Sequence, residues 1–305
     1  MQCQATDSGR VDAVRANLVR LAQGASVELN IQDAQHLVAL VDFLGPGTRI
    51  YVSHLPKQSF RDTLSVCAAV RSAGFDAIPH IPVRLFESQA QLSAFIDEAV
   101  GRGVNEALLI SGDYAQARGP FSCVADVLRE VDLRALGWAR VSFGGHPEGH
   151  PKVALATIRA AELEKERLAR SMGLRVSFVT QFFFEAAPFL EWARGLWCAD
   201  RSVAIRAGLA GPANVATLFK FALRCGVGPS IRALGSRPGS FTRLLGEQGP
   251  EDVLTRLAAD EPTQSSSLDG IHLFCFGGIV RTCQWLHQVA SGQFELSETG
   301  KLTVK

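Results

Sequence analysis

Eight short apolar runs, each separated from the next by an amphipathic stretch, set what this chain can fold into. The runs are SVELN (26–30), RIYVSHL (49–55), DAIPHIP (76–82), EALLISGD (106–113), RVSFGGH (140–146), RVSFVTQ (175–181), SVAIRAGL (202–209) and GIHLFCFG (270–277). Several are nearly continuous in Val, Ile, Leu and Phe, the pattern of strands buried on both faces, as in a parallel sheet. The stretches between them read as helices. DAQHLVALVDFL (33–44) starts with Asp33 as N-cap and ends before Gly45-Pro46. QAQLSAFIDEAVGRG (89–103) sets Leu92, Phe95, Ile96 and Ala99 on one face. KVALATIRAAELEKERLARSMG (152–173) is long, and its glutamates and arginines read as a solvated face. NVATLFKFALRCG (214–226) and GIVRTCQWLHQVA (278–290) follow, and a leading helix from Val11 to Gln23 precedes the first strand.

Eight strands alternating with helices over about 250 residues predict a (β/α)8 TIM barrel, an α/β fold. The expected division is an N-terminal helical extension at 1–24 and one barrel domain at 25–305. A doubly wound open sheet would carry GxGxxG after its first strand, and none is present. The nearest thing to an internal boundary is the polar segment DEPTQSSSLDG (260–270).

The chain has 305 residues, 47% hydrophobic and 20% charged, enough for a large core and unlike a disordered chain. A formal charge of +1 implies neither a nucleic-acid surface nor a polybasic membrane patch. The seven cysteines form no CxxC pair and are odd in number, which fits reduced thiols in a cytoplasmic protein better than a disulfide framework. The first residues lack the apolar core of a secretory signal, and no run of about 18 apolar residues suggests a membrane span.

In a (β/α)8 barrel, polar residues at the C-terminal strand ends line the active-site face. Those ends read Glu28, Ser53-His54, His80, Gly112-Asp113, His146 with Glu148, Gln181, Gly208 and Phe276-Gly277-Gly278. Glu28 reads as a general acid whose ionisation burial would disfavour, or as a residue turned to solvent on a frayed strand. Asp113 reads as a ligand group beside Gly112, or as a turn residue. Gln181 reads as a ligand amide, or as a core glutamine bonded to backbone. Phe182, Phe183, Phe184 and Phe221 read first as packing.

One loop stands out: FGGHPEGHPKV, from Phe143 to Val153. Two histidines four apart suggest a zinc helix, but Pro147 and Gly149 lie between them and disfavour a helix interior. No third ligand is near in sequence, so no metal is expected. The alternative is a rigid loop that presents polar groups to a ligand.

At HPEGHP together with VTQFFFE the sequence resembles the methylenetetrahydrofolate reductase family, (β/α)8 flavoproteins whose patterns there are close to AYPEGHPE and ITQFFFD. The resemblance runs from Glu28 to the last strand and is specific at these two motifs. It implies FAD as cofactor, NADH or NADPH as electron donor and a tetrahydrofolate substrate, in one-carbon metabolism. It implies that Glu28, at the glutamate of the family's FEFFPP motif, is the acid that protonates N10, and that Asp113 lies beside the flavin and the pterin. Gln181 would contact the pterin, and Phe221 would pack against substrate or nicotinamide. Ser53, His54, His80, Ser111, Gly112, Gly144, Gly145, His146, Glu148 and His150 would line the FAD site.

Several positions depart from the family. VELNIQ lacks both prolines and both phenylalanines of FEFFPP, and SHLP stands for TYGA. Ser111 stands for arginine, His146 for tyrosine and Thr217 for glutamine. Phe274 and Gly278 replace the tyrosine and arginine of HFYTLNR. Two alternatives follow: the same flavin and folate chemistry run as methyltetrahydrofolate oxidation or with a non-nicotinamide donor, or a non-catalytic barrel subunit without FAD. A homo-oligomer or partner subunit is left open.

Overall fold

Each of the eight apolar runs forms a strand, and the strands close on themselves. The computed structural model describes residues 7–199, 202–225, 227, 247–260, 268–297 and 299–304. The strands are β1 (Ser26–Leu29), β2 (Arg49–Val52), β3 (Asp76–Pro82), β4 (Leu108–Ile110), β5 (Arg140–Gly145), β6 (Arg175–Thr180) and β7 (Ala204–Ala210). After a short ribbon of β8 (Ala213–Asn214) and β9 (Glu247–Gln248) comes the last barrel strand, β10 (Leu268–Phe274). Their order around the closed barrel is β1-β10-β7-β6-β5-β4-β3-β2. Pairing is parallel: Tyr51 lies opposite Ile78, Ile81 opposite Leu109, Leu109 opposite Phe143, and His272 opposite Gly208.

Parallel neighbours need crossovers, and helices supply them. In chain order these are α1 (Asp7–Gln23), α2 (Leu37–Leu40), α3 (Phe60–Ser72), α4 (Gln89–Gly101), α5 (Val124–Glu130), α6 (Leu155–Ser171), α7 (Ala186–Ala199), α8 (Val215–Cys225), α9 (Glu251–Ala259) and α10 (Ile279–Ala290). A hairpin of β11 (Glu295–Leu296) and β12 (Leu302–Thr303) follows. The sequence reading marked no helix at α3, α5, α7 or α9. Yet α3 carries a clear start signal: Ser59 Oγ accepts from the Asp62 amide at 3.1 Å, and Asp62 Oδ2 accepts from the Ser59 amide at 2.9 Å.

The helix expected at 33–44 is corrected. Asn30 is the N-cap, its Oδ1 accepting from the Gln32 and Asp33 amides at 2.8 and 3.2 Å, and Asp33 closes the capping box instead. The chain therefore turns early, as a 3-10 helix over Ile31–His36, and adds only the short α2, where Leu37 and Leu40 are buried. Several strands also end sooner than expected: Ser53–Leu55 lie beyond β2, Ser111–Asp113 beyond β4, Gln181 beyond β6 and Cys275–Gly277 beyond β10.

The chain divides into two compact units, residues 27–179 and residues 1–26 with 180–305. In the first, Tyr51, Ile78, Leu108 and Val179 form an apolar layer with Ile110. A polar stack adjoins it: Ser142 Oγ bonds Glu106 Oε1 at 2.9 Å, Ser177 Oγ at 2.7 Å and the Tyr51 hydroxyl at 3.3 Å, and Arg49 lies 3.7 Å from Glu106. In the second unit, α1 packs on α9, α10 and β10 with Leu18 and Leu21 buried, so the predicted extension is part of this unit's packing. Buried Arg206 pairs with Asp269 at 2.5 Å. Burial pushes the Cys67 and Cys283 thiols up to about 12, which makes them core groups rather than nucleophiles. Most of the polar segment at 260–270, the side chains of Cys3 and Cys198 and the first six residues of the expected extension lie outside the described residues.

Candidate functional site

In the unit spanning 27–179, successive β1 side chains point to opposite faces. Val27 and Leu29 are fully buried, while Glu28 keeps 23% of its side chain accessible. Glu28 is therefore not on a frayed edge: it faces His80 of β3, whose Nε2 lies 3.9 Å from Glu28 Oε2 and whose side chain is 12% exposed. The Tyr51 ring meets His80 edge-on, with centroids 6.1 Å apart at 71°. Ser53 ties the end of β2 to β1, its amide and Oγ both reaching the Leu29 carbonyl, at 2.9 and 3.3 Å.

His54 faces elsewhere. Its Nδ1 lies 2.9 Å from Thr63 Oγ1 and its ring packs against Phe60, centroids 5.0 Å apart. Burial lowers its pKa, and the Asp62 carboxylate partly opposes that. Its polar contact is thus with α3.

The loop after β4 turns at Gly112, with φ 86°; a Cβ there would sit 2.9 Å from both Pro82 Cβ and Tyr114 Cδ2. Only glycine suits that position. Ser111 is half-buried beside it and Asp113 is exposed, its charge acting on His150.

The HPEGHP loop after β5 is two consecutive turns, not a helix. The Gly149 amide donates to the His146 carbonyl at 3.0 Å with Gly149 at φ 82°, and the Val153 amide donates to the His150 carbonyl at 3.3 Å. The two imidazoles stand 6.3 Å apart at 85°. The Lys152 amide donates to His150 Nδ1 at 3.2 Å, so the neutral ring carries its proton on Nε2. His150 is held below the ordinary histidine pKa by burial first and by His146 next, while Asp113 pulls the other way. Removing that carboxylate in Asp113→Asn should lower the His150 pKa further, read by NMR titration of its ring; an unchanged or raised value would separate the two loops. Among the described residues no group of three or more His, Cys, Asp or Glu side chains is placed to hold a metal.

Glu162 corrects the reading of α6 as carrying a solvated charged face. Its side chain is 1% exposed. Its Oε1 accepts from the His146 amide at 3.0 Å, and its Oε2 accepts from Arg159 Nη1 at 2.9 Å. Arg159, 30% exposed, also donates to the carbonyls of His146 and Pro147, at 3.3 and 3.4 Å. Lys165 lies on the same helix with its Nζ 5.5 Å from the centre of the Phe143 ring, its pKa lowered by burial against the opposing pull of Glu162. The loop is therefore strapped to α6 by a buried ionic cluster.

In the other unit, Gln181 follows β6 and is half-buried. The Gly208 amide donates to Thr180 Oγ1 at 2.8 Å, and a Cβ on Gly208 would lie 2.2 Å from the Thr180 carbonyl, so β7 needs glycine there. Phe182 is buried among Phe184, Phe274 and Phe276. Phe221 stacks on Phe276, centroids 4.1 Å apart at 14°, and Phe274 and Phe276 are 5.7 Å apart at 18°. These three rings are only partly buried and form an aromatic bank. The Thr217 amide is taken by Asn214 Oδ1 at 2.7 Å as α8 begins.

Sequence reasoning passed over Glu162, Arg159 and Tyr51 as site-forming residues, and placed Phe276 at a strand end without giving it a role. The signal for Glu162 was its spacing: with Ile158 and Ala169 it makes up the buried positions of α6. Phe276 follows Phe274 at strand spacing, and Tyr51 had only its apolar run.

Some features of the first unit fit FAD. Gly144 opens onto free space, with only His146 Cε1 within 4 Å, at 3.7 Å, of a Cβ placed there. The N-terminus of α6 has no side-chain cap, leaving amides of the kind that hold phosphate, with Lys152 and Arg159 close by in the chain. His150 Nε2 adds a neutral donor for a flat polar ring.

No family model matches the chain. Two solved structures of dihydropteroate synthase from Thermus thermophilus, one in complex with 6HMPPP, are similar at 14% identity, each covering 88% of this chain and 92% of the other, with TM-scores of 0.45 and 0.46. At that identity and superposition neither informs this chain's chemistry. Among the described residues no helix is long and apolar enough to cross a membrane.

Proposed function

We propose that this chain is a flavin-dependent oxidoreductase of folate-borne one-carbon units, converting 5,10-methylenetetrahydrofolate to 5-methyltetrahydrofolate with FAD and NADH or NADPH. The observation that carries the reading is a carboxylic acid in an interior strand, Glu28, facing His80 at 3.9 Å, in the unit that also holds the strapped HPEGHP loop. Bound FAD supplies a hydride acceptor and donor. Glu28 protonates N10 of the folate as the N10–methylene bond breaks. His146, His150 and the Gly144-Gly145 segment hold the cofactor, with Ser111, Gly112 and Glu148 around it, and Asp113 favours positive charge on the pterin. The resemblance assigns substrate contacts to Gln181 and Phe221, and Thr217 and Phe274 stand at substrate-binding positions where this chain departs from the family.

A second direction has a specific motive. On the last strand Phe274 and Gly278 stand where the resembling family carries tyrosine and arginine, and Phe274 joins Phe221 and Phe276 in a partly exposed aromatic bank. That favours oxidation of methyltetrahydrofolate, or a donor other than a nicotinamide. Stopped-flow mixing of the oxidised flavoprotein with each nicotinamide and with methyltetrahydrofolate, separately, decides the direction. Fast bleaching by a nicotinamide supports the reductase, and bleaching by methyltetrahydrofolate alone supports oxidation. If neither bleaches the flavin, both directions fail.

A further inference from the structure

We infer that His80 is a positioning residue for Glu28, oriented to return the proton that Glu28 gives to its substrate. The inference rests on the acid role proposed above. Forming the methyl group takes up one proton and one hydride: the proton passes from the Glu28 carboxyl to N10 as the N10–methylene bond breaks, and the hydride completes the methyl. Each turnover therefore leaves a carboxylate that must regain a proton.

The ionisable group that faces it is His80, with Nε2 3.9 Å from Oε2. That is longer than a hydrogen bond, yet near enough for the two charges to couple strongly in a partly buried site. The ring also meets Tyr51 in a T-shaped contact, centroids 6.1 Å apart. Tyr51 is in turn fixed through its hydroxyl to Ser142, and Ser142 to Glu106 and Ser177. Such a stack holds the imidazole with its facing Nε2 buried, while 12% of the side chain as a whole stays accessible. This unit's other charged or titratable groups include Arg49 and Glu106, 3.7 Å apart, the Glu162, Arg159 and Lys165 cluster on α6, and Asp113, His146 and His150 on the loops. At 3.9 Å, Glu28 and His80 are inferred to titrate as one couple able to share a proton. In that state the proton is available to the carboxyl, and the imidazole refills it.

The test is an NMR titration of the unliganded protein with labelled glutamate carboxyl carbons and histidine ring nitrogens, the Glu28 signal assigned by its loss in Glu28→Gln. It needs neither flavin nor folate, so it stands or falls apart from the proposed reaction. The expected result is two inflections common to the Glu28 carboxyl and the His80 ring, with the upper one lost from Glu28 in His80→Gln. Should that variant not fold, the shared inflections in the unaltered protein still decide. In the folate half-reaction, His80→Gln should move the alkaline limb down by at least about one pH unit, roughly tenfold in rate above it. Independent single inflections for the two residues overturn the inference. So do superimposable pH profiles for His80→Gln and the unaltered enzyme. A coupled titration without folate turnover would instead overturn only the reaction.

Discussion

Glu28→Gln is expected to slow reduction of methylenetetrahydrofolate by about 10²–10⁴-fold, the range a positioned general acid contributes. Glutamine keeps the volume of Glu28 and can still bond its neighbours, so β1 and the layer around it should survive. What it lacks is a dissociable proton, and without one the five-membered ring does not open and no methylene group is exposed to hydride. NADH or NADPH should still bleach the flavin of this variant, because that half-reaction needs no acid at N10. Anaerobic stopped-flow of the two halves separates them. A variant that reduces folate at the normal rate would remove the acid assignment. One that loses both halves would mean that position 28 serves cofactor binding.

The second large effect is on stability. Glu162→Leu should cost roughly 3 kcal/mol or more, the scale seen when one partner of a buried ion pair is removed. The loss has three sources: Arg159 keeps its charge without its carboxylate, the His146 amide loses its acceptor, and Lys165 loses the attraction of Glu162. Because Arg159 is itself 30% exposed, water recovers part of its loss, which places the cost at the low end of the range. The paired change Arg159→Leu/Glu162→Leu should cost less than Glu162→Leu alone, since it leaves no guanidinium stranded. Urea midpoints of the three proteins read the difference. If Glu162→Leu shifts stability by no more than an ordinary surface change, the strap is not holding the loop.

The barrel was legible because strands buried on both faces must be apolar along their length, and eight such runs separated by helical stretches have few other uses. The failures have local physical causes. At 33–44 the apolar spacing suggested a full helix, but Asn30 captured the amides of Gln32 and Asp33 first and set a tighter turn. On α6 a run rich in charge was read by composition. Spacing was the better guide, because Glu162 lies on the buried side with Ile158 and Ala169. The HPEGHP loop was legible as irregular from its prolines and glycines, while what holds it came from a helix further along the chain. Strand position put Glu28 and His80 on one barrel face, but nothing in the sequence paired them, since they lie on separate strands and meet only when the sheet curls. His54 shows the converse: it reads as a strand-end ligand and is taken up by Thr63 and Phe60.

The most direct measurement is the flavin content and redox response of the freshly purified chain. One FAD per chain is predicted, bleached anaerobically by NADH or NADPH and recoloured on adding methylenetetrahydrofolate. A colourless protein that takes up no FAD on reconstitution, or a bound flavin unmoved by any folate, would contradict the account.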